Sequence, residues 1–438
     1  MVKAAIPARL FARIEPYGHL AEAVLAQAWN GFPARDLKVI GVTGTDGKTS
    51  TCSLITQMLR QAGCKVAMLT TVAVDYGDGA GERPNQTRLT TTGAMSIAKT
   101  LRRIRSSGAE WLVLETTSHA LAQYRTWGVP YSVAVLTNIS HEHLDYHGTF
   151  ERYLAAKRRL FELTDNHKTG LRAGVINADD PQADNFVSAV SNPLTYGIKK
   201  GELRAHSIKL TAAGSRYTAK IGRQQYRIQC HLPGSFNVSN SLAAVGVGHV
   251  LGLTKEQIEQ GIAALESVKG RMTRIDEGQE FEVIVDYAHT PDSFKKIFSE
   301  LKPVTRGRLI CVFGSAGRRD ELKRTKQGFI AGQYCDVVII TEEDDRDCDG
   351  WEIMREIAEG AKTAGMVEDQ DLLLIHQREA AVQRAVTIAK KGDLVLLLGK
   401  GHESNILTNG PGGPGSMVKR PYNEITVARQ AVNKRLGR

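Results

Sequence analysis

The sequence predicts an α/β protein: a central P-loop-type parallel sheet with an antiparallel side sheet, followed by a second, Rossmann-like α/β domain. Three observations carry this. Compact apolar runs alternate with helix-like stretches from residue 37 onward, the rhythm of βαβ units. Glycine supplies 42 of the 438 residues, enough for many tight strand-to-helix turns without low-complexity bias. The length also exceeds what one hydrophobic core fills, so two or three compact units are expected.

Residues 1–36 read as a short helical lead-in that ends at Gly31-Phe32-Pro33. Leu37–Val42 is then a buried parallel strand running into a glycine turn, and further strands are expected at Lys65–Val74, Trp111–Leu114 and Val133–Thr137. Helices are expected at Ser50–Ala62, Ala94–Ser106 and Phe150–Leu163. Between 203 and 231 polar and apolar positions alternate (Tyr217, Ala219, Ile221; Tyr226, Ile228, Cys230) about Gly214 and Gly222, which predicts antiparallel hairpins. A helical stretch follows from Asn237 to Leu265. Val268-Lys269-Gly270 marks the boundary to strands at 281–286, 308–313, 336–341 and 393–398. The expected domains are therefore 1–36, 37–268 and 269–438.

Composition narrows the function classes. Lys and Arg number 57 against 47 Asp and Glu, a net charge of +10 that could attract nucleic acid, an anionic membrane or a polyphosphate. The charge is dispersed, with no basic run interleaved with aromatics, so small anionic ligands are favoured and no nucleic-acid partner is expected. No apolar stretch approaches the ~18 residues of a membrane span. Six cysteines (Cys52, Cys64, Cys230, Cys311, Cys335, Cys348) form no CxxC, which argues against a disulfide framework or zinc knuckle and for a reducing cytoplasm. The N-terminal MVKAAIPARLFARIEPYGHL lacks a signal-peptide core, Glu15 argues against a transit peptide, and the segment reads as mature protein.

The sharpest motif is Gly41-Val42-Thr43-Gly44-Thr45-Asp46-Gly47-Lys48-Thr49-Ser50, between a strand and a helix. Glycines let the backbone wrap phosphate oxygens, the helix N-terminus adds N–H donors, Lys48 reaches the terminal phosphates and Thr49 can ligate Mg²⁺. Val42 stands where the common pattern has its first Gly, so this is the shorter variant T-G-T-x-G-K-T. Glu115-Thr116-Thr117-Ser118-His119 follows another strand, where α/β sheets place their ligand crevice, and Glu115 is a candidate metal ligand. A solvated acid beside a helix-capping Thr or Ser is the alternative. Asn138-Ile139-Ser140-His141-Glu142-His143-Leu144-Asp145-Tyr146-His147 follows a third strand and suits a hard cation and a nucleotide base. The HxH pair lacks a thiolate or third His at metal-site spacing, so a carboxylate-dominated Mg²⁺ site is expected over zinc.

These residues carry a resemblance to the Mur ligase family. TGTDGKTST (43–51), LTTTG (89–93), ETTSHAL (115–121), TNISHEHLDYHG (137–148), YLAAKRRLF (153–161), LPGSFNVSNSLAA (232–244), GRM (270–272), VDYAHTPDSF (285–294), GRRDELKR (317–324) and LGKGHES (398–404) occur in family order across most of the chain. The resemblance implies a three-domain, ATP- and Mg²⁺-dependent cytoplasmic ligase of peptidoglycan stem-peptide synthesis. It is closest to the branch that joins a diamino acid, meso-diaminopimelate or L-lysine, to UDP-N-acetylmuramoyl-L-alanyl-D-glutamate through an acyl phosphate. The alternative keeps the core and changes the carboxylate donor, as in folylpolyglutamate, cyanophycin or lipid-linked muropeptide ligases. A nucleotide-dependent scaffold without activity is disfavoured because Lys48, Glu115, His143 and Lys157 are all present.

Carried over residue by residue, the resemblance gives Gly44, Thr45, Asp46, Gly47, Lys48, Thr49 and Ser50 to the ATP phosphates and first Mg²⁺, and Asn138 to the adenine. Thr49, Glu115 and His143 become metal ligands. Lys157 becomes a CO₂-derived carbamate holding a second Mg²⁺, chemistry that needs the neutral amine which burial favours. Without the family, Lys157 reads as a surface helix lysine. Arg271 and Asp286 match residues that close over ATP, and Thr91, Thr92, Thr117, Gln123 and Arg125 match the muramoyl-peptide site. Arg319, Asp344, Arg346, Gly399 and Glu403 match the amino-acid acceptor site.

The chain departs from the family twice. A whole uridine-binding domain precedes the phosphate-loop strand in the family, where 36 residues stand here. The donor is then held by the central domain alone, or completed by a partner that replaces this domain, or is not a UDP-sugar; a monomer is otherwise expected. The acceptor-selecting motif D-N-P-R appears as Glu343-Asp344-Asp345-Arg346. Arg346 suits the distal carboxylate of diaminopimelate, while Asp344 and its neighbours would accept a lysine or ornithine ammonium. A solvated acidic loop or an extra cation site is the alternative.

Overall fold

Among the described residues eleven strands form one sheet, in the spatial order Gln224–Cys230, Gly214–Ile221, Leu203–Thr211, Asn192–Gly197, Ala173–Asn177, Tyr131–Leu136, Lys38–Thr43, Trp111–Glu115, Val66–Leu69, Ala73–Asp75, Arg83–Pro84. This computed structural model describes residues 8–85, 93–140, 144–211, 213–318, 320–410 and 416–438, with side chains from residue 17 onward except 144 and 145. Thr91, Thr92, His143 and Arg319 therefore lie outside the described residues. The chain divides into two compact units. One holds residues up to Lys209 with Ser215–His231 and Ser235–Glu266; the other holds Ser267–Arg438 with the short pieces 210–214 and 232–234.

In the first unit Lys38–Thr43 lies between Trp111–Glu115 and Tyr131–Leu136, parallel to both. These strands are buried on both faces, which explains their unbroken apolar runs. Helix Ala94–Ser106 covers one face with Ile97, Leu101 and Ile104, spaced to fall on one side of the helix and buried against Val39, Leu112 and Leu114. Because all three central strands point the same way, the residues after them, Gly44, Thr116 and Thr137, share one edge of the sheet.

Two expectations shift. Lys65–Val74 is two antiparallel strands, Val66–Leu69 and Ala73–Asp75, because Thr70 Oγ1 closes a turn, accepting the Ala73 N–H and donating to its carbonyl, each at 3.0 Å. The stretch from Asn237 to Leu265 is two helices, Ser235–Val250 and Lys255–Ala263. Gly252 takes φ +72°, and Thr254 starts the second helix with a reciprocal cap to Gln257. The N-terminal helix Ala8–Trp29 packs Ala23 and Ala26 against Ala94 and Ala98.

In the second unit the strands run Thr273–Ile275, Glu282–Asp286, Leu394–Leu398, Leu309–Phe313, Val337–Ile340, Leu372–Leu374, parallel except for the first. A separate hairpin pairs Asn405–Asn409 with Met417–Pro421. No helix among the described residues is long and apolar enough to cross a membrane.

Candidate active site

The phosphate loop is shaped by what its two glycines leave out. Gly44 sits at φ +149°, and a Cβ there would lie 1.9 Å from Thr137 Oγ1. Gly47 sits at φ +80°, and its Cβ would lie 2.3 Å from Asn240 Oδ1. Neither position accepts another residue without displacing the neighbouring strand end or helix. Gly47 caps helix Lys48–Gln61, whose first N–H groups open into the loop.

The residues just after strand Tyr131–Leu136 hold the loop in place. Thr45 N–H donates to the Asn138 carbonyl at 2.8 Å. The Asn138 side chain accepts the Asp46 N–H at 2.9 Å and donates to the Asp46 carbonyl at 3.0 Å, and Thr137 Oγ1 donates to that same carbonyl at 2.6 Å. Asn138, expected beside the adenine, is seen here fixing the backbone of Asp46.

Lys48 Nζ lies across the loop, donating to the carbonyls of Thr45 at 2.7 Å and Gly44 at 3.1 Å. Thr49 Oγ1 donates to Glu115 Oε2 at 2.9 Å; Thr71 gives the same carboxylate its N–H at 2.9 Å and its hydroxyl at 3.0 Å. Glu115 is only 2 % exposed, which rules out the solvated-acid alternative, although Thr117 does cap the short helix Ser118–Ala122 through Ala120 N–H. A buried hydroxyl and carboxylate in contact are hard oxygen donors and fit Mg²⁺ better than zinc. Cys52, on the same helix, is no competitor, since burial and then Glu115 push its thiol well up.

Lys157 is 2 % exposed, which excludes the surface-lysine alternative. Helix Phe150–Asn166 aims its Nζ at the Gly44 carbonyl, 2.5 Å away, over the face of Tyr153. Lys48, Thr49, Glu115 and Lys157 are thereby gathered around one loop. Gln123 follows the short helix, and Arg125 is partly buried, its guanidinium held below the ordinary value by burial, which outweighs the opposite pull of Tyr146 and Glu22.

The second unit gathers polar groups at the same kind of edge. Asp286 ends its strand, accepts the N–H groups of Met272 at 2.7 Å and Ala288 at 2.8 Å, and is raised by burial against the opposing Arg271. Residues 342–345 are all buried, so the acidic run is no solvated loop. Asp344 Oδ1 accepts Lys400 Nζ and the Leu407 N–H, both at 2.9 Å, while Lys400 also donates to Glu403 Oε2 at 2.5 Å. The two expected acceptor-site acids are therefore joined by a fully buried internal ammonium. Glu343 Oε2 lies 2.8 Å from where a Cβ on Gly399 would be. It has no partner among the described residues, and neither do Arg346 Nε or Arg271 Nε. Tyr153, Thr71, Asn240 and Lys400 were not singled out from the sequence. Their motifs were visible, but their roles depend on contacts between distant segments.

The Mur ligase middle-domain model matches residues 42–248, and the Mur ligase glutamate ligase domain model matches 270–401. A UDP-N-acetylmuramyl-tripeptide synthetase of Roseiflexus sp. (strain RS-1) is 39 % identical over 431 residues, covering 95 % of this chain and 82 % of that protein. A UDP-N-acetylmuramoyl-L-alanyl-D-glutamate--2,6-diaminopimelate ligase of Geobacillus kaustophilus is 36 % identical over 420 residues, covering 95 % and 83 %. A solved structure of a ligase of the latter name superposes with a TM-score of 0.67 at 28 % identity, covering 97 % of this chain and 83 % of the other. The folylpolyglutamate synthase of Mycobacterium tuberculosis shares the fold, with a TM-score of 0.68 at 15 % identity over 96 % of this chain and 95 % of the other.

Proposed function

The chain belongs to the Mur ligase family, and we infer that it is the ATP-dependent ligase that adds a diamino acid, meso-diaminopimelate or L-lysine, to UDP-N-acetylmuramoyl-L-alanyl-D-glutamate in peptidoglycan synthesis. The observation that carries this is the phosphate loop, with Lys48 across it, Thr49 against buried Glu115 and Lys157 Nζ at the Gly44 carbonyl.

A donor carboxylate oxygen attacks the γ-phosphorus, the bond to the β,γ-bridging oxygen breaks, and ADP leaves behind an acyl phosphate. The amine of the diamino acid attacks the acyl carbon, loses a proton, and phosphate departs as the amide forms. Lys48 exchanges its carbonyl partners for phosphate oxygens and offsets the repulsion between two anions. Bound Mg²⁺ supplies further charge neutralisation, with Thr49, Glu115, His143 and a carbamate on Lys157 as its holders. Asn138 and, on the resemblance alone, Arg271 and Asp286 are assigned to the nucleotide. Thr91, Thr92, Thr117, Gln123 and Arg125 are assigned to the donor, and Arg319, Asp344, Arg346, Gly399 and Glu403 to the acceptor. Residues 37–268 are the ATP-binding domain and 269–438 the acceptor-binding domain, preceded by the short segment 1–36.

Phosphate release measured with ATP, Mg²⁺, the UDP-muramoyl-dipeptide and a panel of amino acids tests the reading. Release that requires both the donor and a diamino acid is expected; release indifferent to the donor would assign the chain to another carboxylate.

A further inference from the structure

We propose that Tyr153 is a positioning residue for nucleotide binding, its hydroxyl locking the phosphate loop through Thr45. This rests on the nucleotide-binding reading above and adds a residue which that reading leaves unused.

Tyr153 is fully buried, and its hydroxyl lies 2.9 Å from Thr45 Oγ1. Thr45 donates its hydroxyl proton to the Ser140 carbonyl at 3.3 Å and accepts the Ser140 N–H at 2.9 Å. A threonine hydroxyl carries one proton and two lone pairs, so with the proton spent on Ser140 the third contact requires Tyr153 to donate. One loop hydroxyl is thus saturated, and it joins three segments: the phosphate loop, the stretch after Tyr131–Leu136, and helix Phe150–Asn166.

The same helix reaches the loop again one turn later, where Lys157 Nζ meets the Gly44 carbonyl at 2.5 Å. Tyr153 and Lys157 are four apart and share a helix face, and Lys157 Nζ stands 4.7 Å from the centre of the tyrosine ring. His147 also packs edge-on against that ring at 5.4 Å and is hydrogen-bonded to Ser118 Oγ at 3.0 Å through Nε2. The ring is therefore fixed by its neighbours, and its hydroxyl has a defined target. Without that hydroxyl, Thr45 loses one of three restraints, and the loop N–H groups that would meet phosphate are no longer ordered in advance.

The test is calorimetric titration of a non-hydrolysable ATP analogue with Mg²⁺ into the full chain, for wild type, Tyr153→Phe, Thr45→Val and the double variant. Tyr153→Phe is expected to raise Kd about tenfold, the scale of one hydrogen bond. The double variant is expected to bind no more weakly than Thr45→Val alone, because both substitutions remove the same bond. In turnover, the ATP KM should rise while the diamino acid KM stays put. An unchanged Kd for Tyr153→Phe, or multiplicative losses in the double variant, would overturn the proposal while leaving the nucleotide reading intact. Wild type that fails to bind the analogue would overturn both. If Tyr153→Phe folds poorly, Thr45→Ser against Thr45→Val reads the three contacts of that hydroxyl together, and equal binding by that pair overturns the proposal.

Discussion

Asp344 and Arg346 stand two positions apart in the proposed acceptor motif, yet their surroundings differ. Asp344 is committed to the buried Lys400 ammonium, whereas Arg346 Nε is left without a partner among the described residues. Arg346→Ala should therefore leave the unfolding midpoint unchanged and raise the acceptor KM about 100-fold for diaminopimelate and little for lysine, since only the former brings a distal carboxylate. Asp344→Ala should instead lower stability by about 3 kcal/mol, the low end for breaking a buried pair because Glu403 still faces the ammonium. Steady-state kinetics with both acceptors, alongside urea unfolding, separates the two; equal effects of Arg346→Ala on both amino acids would refute carboxylate reading. The sequence could raise Asp344 as a partner for a lysine ammonium but could not say that the ammonium belongs to Lys400. That pairing spans 56 positions, and no local pattern encodes it. The phosphate loop was legible for the converse reason: its glycines, lysine and threonine are contiguous, and the chemistry follows from their order.

At the scale of elements, helix Lys48–Gln61 carries the loop on its N-terminus and is seated by a glycine on its neighbour, helix Lys255–Ala263. A Cβ at Gly261 would come within 2.6 Å of the Met58 backbone. Gly261→Ala should accordingly destabilise the protein by about 1–3 kcal/mol through overpacking, despite the better helix propensity of alanine. A lower urea midpoint at unchanged slope is the expected signature, and a gain in stability would mean the two helices separate freely. Propensity alone predicts the wrong sign here. The same limit explains which elements the sequence delivered. Ala94–Ser106 and the buried central strands follow from periodicity and apolar runs, whereas the break after Val250 depends on Gly252 in the left-handed region and the Thr254 cap, both masked by the continuous helical pattern around them.

For the molecule as a whole, the net charge of +10 is spread along the sequence rather than collected in a basic run, and the cation proposed to meet phosphate is one half-buried lysine, Lys48, lying across the loop. Ligand linkage is therefore the global property to measure. A nucleotide that binds only the folded state adds stability as RT ln(1 + [L]/Kd), about 2.7 kcal/mol at a hundredfold excess over Kd, which for a unit of this size corresponds to a rise in Tm of about 5–10 °C. That rise should need Mg²⁺, because Thr49 and Glu115 offer a hard-cation site at the loop, and it should vanish on adding EDTA. In Lys48→Ala the loop geometry set by Gly44 and Gly47 persists, so the ligand-free Tm and circular dichroism should match wild type while the nucleotide-dependent rise and turnover are lost. Thermal scans of both proteins with and without ATP, Mg²⁺ and EDTA measure all of this together, and a full shift in Lys48→Ala would place the nucleotide away from this loop.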